Sequence, residues 1–254
     1  MKTEDLVSDI TAHAVAVRRI LVSRFFHERF AGVIQRGILE GYKLEEDSSW
    51  APGDLAGQLF GLYEQEVLSI IEDVRTRRHT LVNLGAADGY YGVGLVATGS
   101  FGQSVCYELS EAGREHLKRV AERNKVTELV QILGGAGPDF PRELHERNVP
   151  IEQCLILSDV EGAEFDIFTP ECLNALKGAE IIIELHDFLV DDGETRRKTL
   201  LAAAEANFEA TVVRMGARDL SVIPELAGLN DSDRWLICSE GRAQLMSWLH
   251  LRPR

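Results

Sequence analysis

The sequence predicts an α/β protein with an open, doubly wound, mostly parallel sheet and an antiparallel pair of strands on one edge. Three observations carry this. From residue 81 onward, short apolar runs alternate with segments of helical period across short loops, the pattern of parallel strands joined by right-handed crossovers. The first run, L-V-N-L at 81–84, breaks at once into a turn punctuated by Gly85 and Gly89. Two further apolar runs fall close together near the end of the chain, at 210–215 and 234–238.

Taken in order, residues 5–40 place Ile10, Ala14, Val17, Ile20, Leu21, Phe25, Phe30, Val33, Ile34 and Leu39 at helical spacing. This predicts one or two amphipathic helices, packed on the following domain or on a second copy of the chain. Residues 41–53, G-Y-K-L-E-E-D-S-S-W-A-P-G, read as a linker. The expected organisation is therefore a helical extension and linker over 1–53 and one domain over 54–254. Within that domain a helix runs over 54–77, broken near Gly61, and the strand at 81–84 leads into a helix over 90–98. A strand over 103–108 is followed by a helix over 111–124, with Ser110 as its N-cap. A strand over 129–133 closes on G-G-A-G-P at 134–138. A short helix carrying E-L-H-E-R precedes a strand at 154–158, a helix over 162–175 and a strand over 180–185. A helix over 195–207, the two late strands and a tail complete the chain.

Composition narrows the partners. The formal net charge of −14 opposes attraction to phosphate backbones, so the expectation is a small-molecule partner and no nucleic acid. The basic runs at 18–19, 75–78 and 196–198 read as solvated helix faces. Cys106, Cys154, Cys172 and Cys238 form no C-x-x-C pair and read as core residues of a reducing compartment. The start of the chain is polar and acidic, and Arg18, Arg19 and Arg24 interrupt the run from Ile10 too soon for a membrane span. The expectation is a cytoplasmic protein.

The turn after the first strand is where doubly wound sheets bind nucleotide-like cofactors, on free backbone N–H groups and a helix N-terminus. A dinucleotide site wants G-x-G-x-x-G. Here the glycines fall at 85, 89 and 92, and Ala87 takes the middle place. A pyrophosphate fits that poorly. S-adenosylmethionine carries no phosphate and asks only that the loop wrap a methionine-like tail and a ribose. Glu108, ending the second strand about 20 residues on, is placed to accept hydrogen bonds from ribose hydroxyls. The plain structural alternative is a pair of turn glycines and a carboxylate that caps the next helix.

The fourth and fifth strands end in S-D-V-E-G-A-E at 158–164 and E-L-H-D at 184–187. Glu184 and His186 are two apart on a strand and face one side. Asp159, Glu161, Glu184 and His186 are therefore expected to converge beside the cofactor loop.

These stretches, V-N-L-G-A-A-D-G-Y-Y-G, Y-E-L-S, L-S-D-V-E-G-A-E-F-D-I and I-I-I-E-L-H in this order and spacing, resemble the FkbM-type S-adenosylmethionine-dependent methyltransferases over about residues 63–186. The resemblance implies the Rossmann-like class I methyltransferase fold, seven strands with one antiparallel, and methyl transfer to a hydroxyl of a small molecule or sugar. It implies that Gly85, Ala86 and Gly89 line the methionine portion, Glu108 holds the ribose, and Leu109, Gly135 and Ala136 flank the adenine. Asp159 would lie near the transferred methyl, with Asp88 and Ser110 completing the cofactor contacts. Asn83 stands where many members have an acid, although its amide oxygen can still accept a hydrogen bond.

A hydroxyl is a weak nucleophile, so a base or a metal must help to remove its proton. By intrinsic pKa His186 is the best base, Asp159 the next or the group that orients it, and Glu184 completes the catalytic set. The alternative for His186 is a strand-end histidine bonded to a neighbouring carboxylate. A divalent magnesium or manganese ion on Asp159, Glu184 and His186 is chemically reasonable but not required. Glu161 and Glu164 would favour a helix N-terminus. Tyr63, Tyr90 or Tyr91 would face the sulfonium, with at least one of them in core packing. The competing readings are an NAD-dependent oxidoreductase, a non-catalytic cofactor-binding protein, and an enzyme acting on protein or RNA.

Overall fold

The computed structural model describes residues 3–46, 52–242 and 244–254, so the expected linker at 41–53 falls in part, at 47–51, outside the described residues. In chain order the elements are α1 (Thr3–Arg29), α2 (Leu55–Leu59), α3 (Gln65–Val74), β1 (Thr80–Leu84), α4 (Gly94–Ala97), β2 (Gln103–Tyr107), α5 (Glu111–Arg123), β3 (Val130–Leu133) and α6 (Phe140–Glu146). Then follow β4 (Cys154–Ser158), α7 (Glu164–Ile167), α8 (Pro170–Ala175), β5 (Glu180–Glu184), α9 (Gly193–Ala204), β6 (Phe208–Arg214), α10 (Asp231–Cys238) and β7 (Ser247–Pro253). The chain divides into two compact units, Met1–Gln65 with Gly216–Gln244, and Glu66–Met215 with Leu245–Arg254.

The second unit holds a seven-stranded sheet of order β3-β2-β1-β4-β5-β7-β6. The pairs from β3 to β5 are parallel, while β7 runs antiparallel to both β5 and β6 at that margin. Every residue of β1, β4 and β5 is buried, as expected where helices cover both faces of a parallel sheet. One face gathers Val82, Leu84, Ile156, Ile181, Ile183 and Leu249 against Phe140, Leu144 and Leu173. Each such side chain contributes about 1.5–3 kcal/mol through burial. The strand order reverses between β1 and β4, and this opens a crevice at their carboxyl ends.

The first unit packs α1, α2 and α10 around Phe26, Phe30 and Phe60, whose rings meet at 5.0–5.8 Å. Residues 216–244, expected with the sheet, belong to this unit because they carry the partners of its arginines. Asp233 accepts from Arg18 at 2.8 and 2.5 Å, and Glu225 accepts from Arg36 at 3.1 and 3.0 Å. The expected boundary at residue 53 accordingly falls inside the first unit.

Four elements differ from expectation. The helix expected over 90–98 is regular only over Gly94–Ala97, the residues from Tyr90 to Val93 lying in turns after Gly89. Residues 234–238, expected as a strand, lie in α10, because Asn230 caps that helix by accepting from the Asp233 N–H at 3.0 Å. The strand that pairs with β6 is instead β7, in the stretch expected to be a tail, where Trp248, Leu249 and Leu251 are buried. The helix expected over 162–175 divides into α7 and α8. Pro170 disfavours a helical Thr169, whose hydroxyl instead caps α8 by accepting from Cys172 N–H at 3.2 Å. Among the described residues no helix is long and apolar enough to cross a membrane.

Candidate cofactor and acceptor site

At the carboxyl end of β1 the chain bends at Gly85, whose φ is +76° and whose N–H donates to Tyr107 O at 2.9 Å. A Cβ there would lie 1.8 Å from the carbonyl oxygen of Asp159, so the close crossing of the loops after β1 and β4 requires glycine. The Ala86 N–H also donates to Tyr107 O, and Gly89, at φ +84°, closes the turn by donating to Ala86 O. Asp88 accepts from the N–H of Tyr90 at 3.2 Å, holding the turn locally.

Glu108 is buried, and its carboxylate accepts from Ala87 N–H at 2.9 Å and from Ser110 N–H at 2.8 Å. The end of β2 is thus fastened to the loop after β1. A carboxylate holding two donors retains lone pairs for further hydroxyls. The sequence reading missed Gly113, where a Cβ would stand 2.8 Å from Glu108 Cγ, so a glycine in the first turn of α5 makes room for that side chain. The signal was a residue of poor helix propensity just after the Ser110 cap. Ser110 accepts from the Gly113 N–H at 3.3 Å.

Leu109 is 83% exposed and lies against Gly135, with Ala136 half-buried beside it. Asn83 is buried with its side chain towards Gly92 and Leu157, beneath the loop. Tyr90 is buried edge-on to Tyr91 at 5.0 Å, whereas Tyr63 belongs to the first unit and carries Arg242 over its ring.

The second cluster follows from register. Ser158 pairs with Ile183, so Asp159 and Glu184 come next to each other where β4 and β5 end. His186 is buried, with Nε2 3.6 Å from Asp159 Oδ1 and 3.5 Å from Glu161 Oε2, and Nδ1 3.5 Å from Glu164 Oε1. Burial pulls the imidazole pKa down, but Glu164, Asp159 and Glu161 together outweigh it and hold it above the ordinary value. Glu164, expected to serve a helix N-terminus, does more. It accepts from Gly162 N–H at 2.8 Å and from His186 N–H at 2.7 Å, tying the D-V-E-G-A-E turn to the segment after β5. Asp159, Glu184 and His186 also each offer a ligand atom within 4.8 Å of the others, and two carboxylates with one imidazole suit magnesium or manganese.

No family model matches the chain, and no curated protein matches it in sequence. Solved structures do match in fold. The O-methyltransferase TomG from Streptomyces achromogenes, solved in complex with SAM, is 14% identical, with 82% of this chain and 91% of that chain covered at a TM-score of 0.51. Cofactor-bound Rv0187 from MTB is 14% identical, with 82% of this chain and 94% of that chain covered at a TM-score of 0.52. At such identities the likeness establishes the Rossmann-like fold that TomG shares, and the fold alone.

Proposed function

We propose that this protein is an S-adenosylmethionine-dependent methyltransferase of the FkbM type, acting on a hydroxyl of a small molecule or sugar. The observation that carries the reading is the glycine bend at residue 85 fastened through Glu108 to the end of β2, with His186 and its carboxylates on the same edge of the sheet. Gly85, Ala86 and Gly89 would receive the methionine tail, Glu108 the ribose, and Leu109 with Gly135 and Ala136 the adenine. An NAD-dependent reaction is disfavoured because the Ala87 N–H, at the place where a pyrophosphate needs a free donor, is committed to Glu108.

When bound, S-adenosylmethionine supplies an electrophilic methyl whose bond to sulfur breaks as the acceptor oxygen bonds to carbon, leaving a neutral thioether. The chain's own residues place and deprotonate the acceptor. Carboxylates stand by both ring nitrogens, and with the ring proton on Nδ1, beside Glu164, the Nε2 lone pair would take the hydroxyl proton. Asp159 and Glu161 flank Nε2 and compensate the charge that forms on the ring. Such proton transfer contributes about 10²–10⁴-fold.

The ligand cluster of Asp159, Glu184 and His186 favours a second version in which these residues hold a divalent ion that polarises the hydroxyl. A cytoplasmic location belongs to the same reading and rests on the four free thiols. Calorimetric titration with S-adenosylhomocysteine and with NAD tests the assignment. Binding of the first and not the second is expected, and the reverse overturns it.

A further inference from the structure

After β5 the chain crosses the carboxyl edge of the sheet through His186 and the 3₁₀ turn Asp187–Leu189 before entering α9. Here three apolar residues stand in a row. Phe188 is 45% exposed, Leu189 is 52% exposed, and Val190 is half-buried against Gly162. Consecutive large apolar side chains facing water are unfavourable unless something covers them.

The segment is firmly held. Glu164 fixes the backbone N–H of His186, Leu189 N–H donates to His186 O at 2.9 Å, and Arg197 lies 3.6 Å from Asp187. A Cβ at Gly193 would fall 1.7 Å from Asp187 O, so the start of α9 is seated directly against the turn. The Phe188 ring is held 5.8 Å from the His186 imidazole, tilted by 48°. The carboxylates of Asp159 and Glu161 stand beside His186 Nε2, while Asp187 has Arg197 3.6 Å away, so the charge next to the proposed base is negative and repels phosphate or carboxylate there.

Resting on the methyl-transfer reading, we infer that the acceptor carries its hydroxyl on an aromatic ring system free of anionic groups. Phe188 and Leu189 form the face on which that ring lies, with the hydroxyl towards His186. Aromatic pairs prefer offset or edge-to-face packing, which a fixed, half-exposed phenylalanine offers, and Phe188 and Leu189 cover the flat face of a ring with no polar group of their own. The chemistry agrees, since an aromatic hydroxyl has a pKa of about 10 and passes its proton to imidazole far more readily than an alkyl alcohol does.

The test uses the full chain loaded with S-adenosylhomocysteine and titrated with 1-naphthol, cyclohexanol, glucose and glucose 6-phosphate, followed by turnover with S-adenosylmethionine. We expect 1-naphthol to bind and to be methylated in preference to the others. Phe188→Ala should raise its KM about tenfold or more with a smaller change in kcat, leaving S-adenosylhomocysteine affinity and thermal stability unchanged. Preference for glucose or its phosphate, no preference for 1-naphthol, or an unchanged KM in Phe188→Ala overturns the inference while leaving methyl transfer standing. Failure to bind S-adenosylhomocysteine overturns both.

Discussion

The Glu164 carboxylate accepts the backbone N–H of His186 at 2.7 Å across 22 residues of sequence while its other oxygen accepts from Gly162 at 2.8 Å. One wholly buried side chain therefore sets the position of the proposed base relative to the turn that carries Asp159 and Glu161. Glu164→Gln keeps one acceptor but turns an NH₂ group towards the other backbone N–H. Loss of the second bond is expected to cost about 1–3 kcal/mol and to lower kcat more than it weakens cofactor binding. Thermal denaturation and S-adenosylhomocysteine titration check the two halves separately, and wild-type turnover in this variant would remove Glu164 from the positioning role.

Gly85 allows a controlled comparison with Gly99, because both have positive φ, +76° and +72°, but only Gly85 has a neighbour in the way. Gly99→Ala should cost only the left-handed backbone, about 1 kcal/mol. Gly85→Ala adds a clash with Asp159 O and must push apart the loops after β1 and β4. It is expected to abolish S-adenosylhomocysteine binding, whereas Gly99→Ala keeps it. Equal affinities in the two variants would show that the bend does not contact the cofactor.

His186→Ala should spare cofactor affinity and reduce turnover by about a hundredfold or more. A base must be unprotonated, and the surrounding carboxylates raise the His186 pKa. Activity measured in chelator should therefore rise with pH along a limb centred above 6.5, and fall as pH drops through it. If chelator abolishes activity and manganese restores it, the divalent-ion version takes the place of the free base.

How far these groups could be read in advance depended on whether their reason was local. The apolar runs of β1, β4 and β5 and the spacing of Gly85 and Gly89 are local signals, and the convergence of Asp159 with Glu184 follows from two strands ending in register. The partners of Glu164 were hidden because a carboxylate near a helix start looks the same whether it serves its own helix or a segment 22 residues away. Gly113 carries its meaning only through the Glu108 side chain packed on it. The run R-W-L-I-C at 234–238 fits either a short strand or a helix, and the Asn230 cap upstream decided between them.

At the opposite end of β5, Glu180 is buried and accepts from Arg77 at 2.8 and 3.0 Å, with His250 Nε2 at 2.9 Å. Burial opposes its ionisation, but the bonds from His250 and Arg77 outweigh that and hold its pKa at about 2, against an ordinary 4.5. A depressed carboxylate stabilises the fold fully above its unfolded pKa and loses that contribution as pH falls towards the folded value. The stability of the wild type should therefore fall between pH 4.5 and about 2, and Glu180→Gln should flatten that dependence. Because the variant sets an amide in place of the carboxylate that accepts from Arg77, it should also be less stable at neutral pH by about 1–3 kcal/mol. Denaturant titrations across pH provide the measurement, and parallel curves for the two proteins would contradict the assignment.

The first unit leaves an apolar stripe uncovered. Ile10, Val17, Leu21 and Phe25 on α1 are 60, 42, 52 and 52% exposed, and at 100° per residue they fall on one side of the helix with Ala14. An exposed helix gains little stability from its own hydrogen bonds, so packing must hold such a stripe. A second copy of α1 laid along the first would bury both stripes at once. The expected outcome is a dimer in sedimentation equilibrium that Val17→Glu with Leu21→Glu converts to a monomer, without loss of S-adenosylhomocysteine binding. A monomeric wild type at high micromolar concentration would assign the stripe to a different partner.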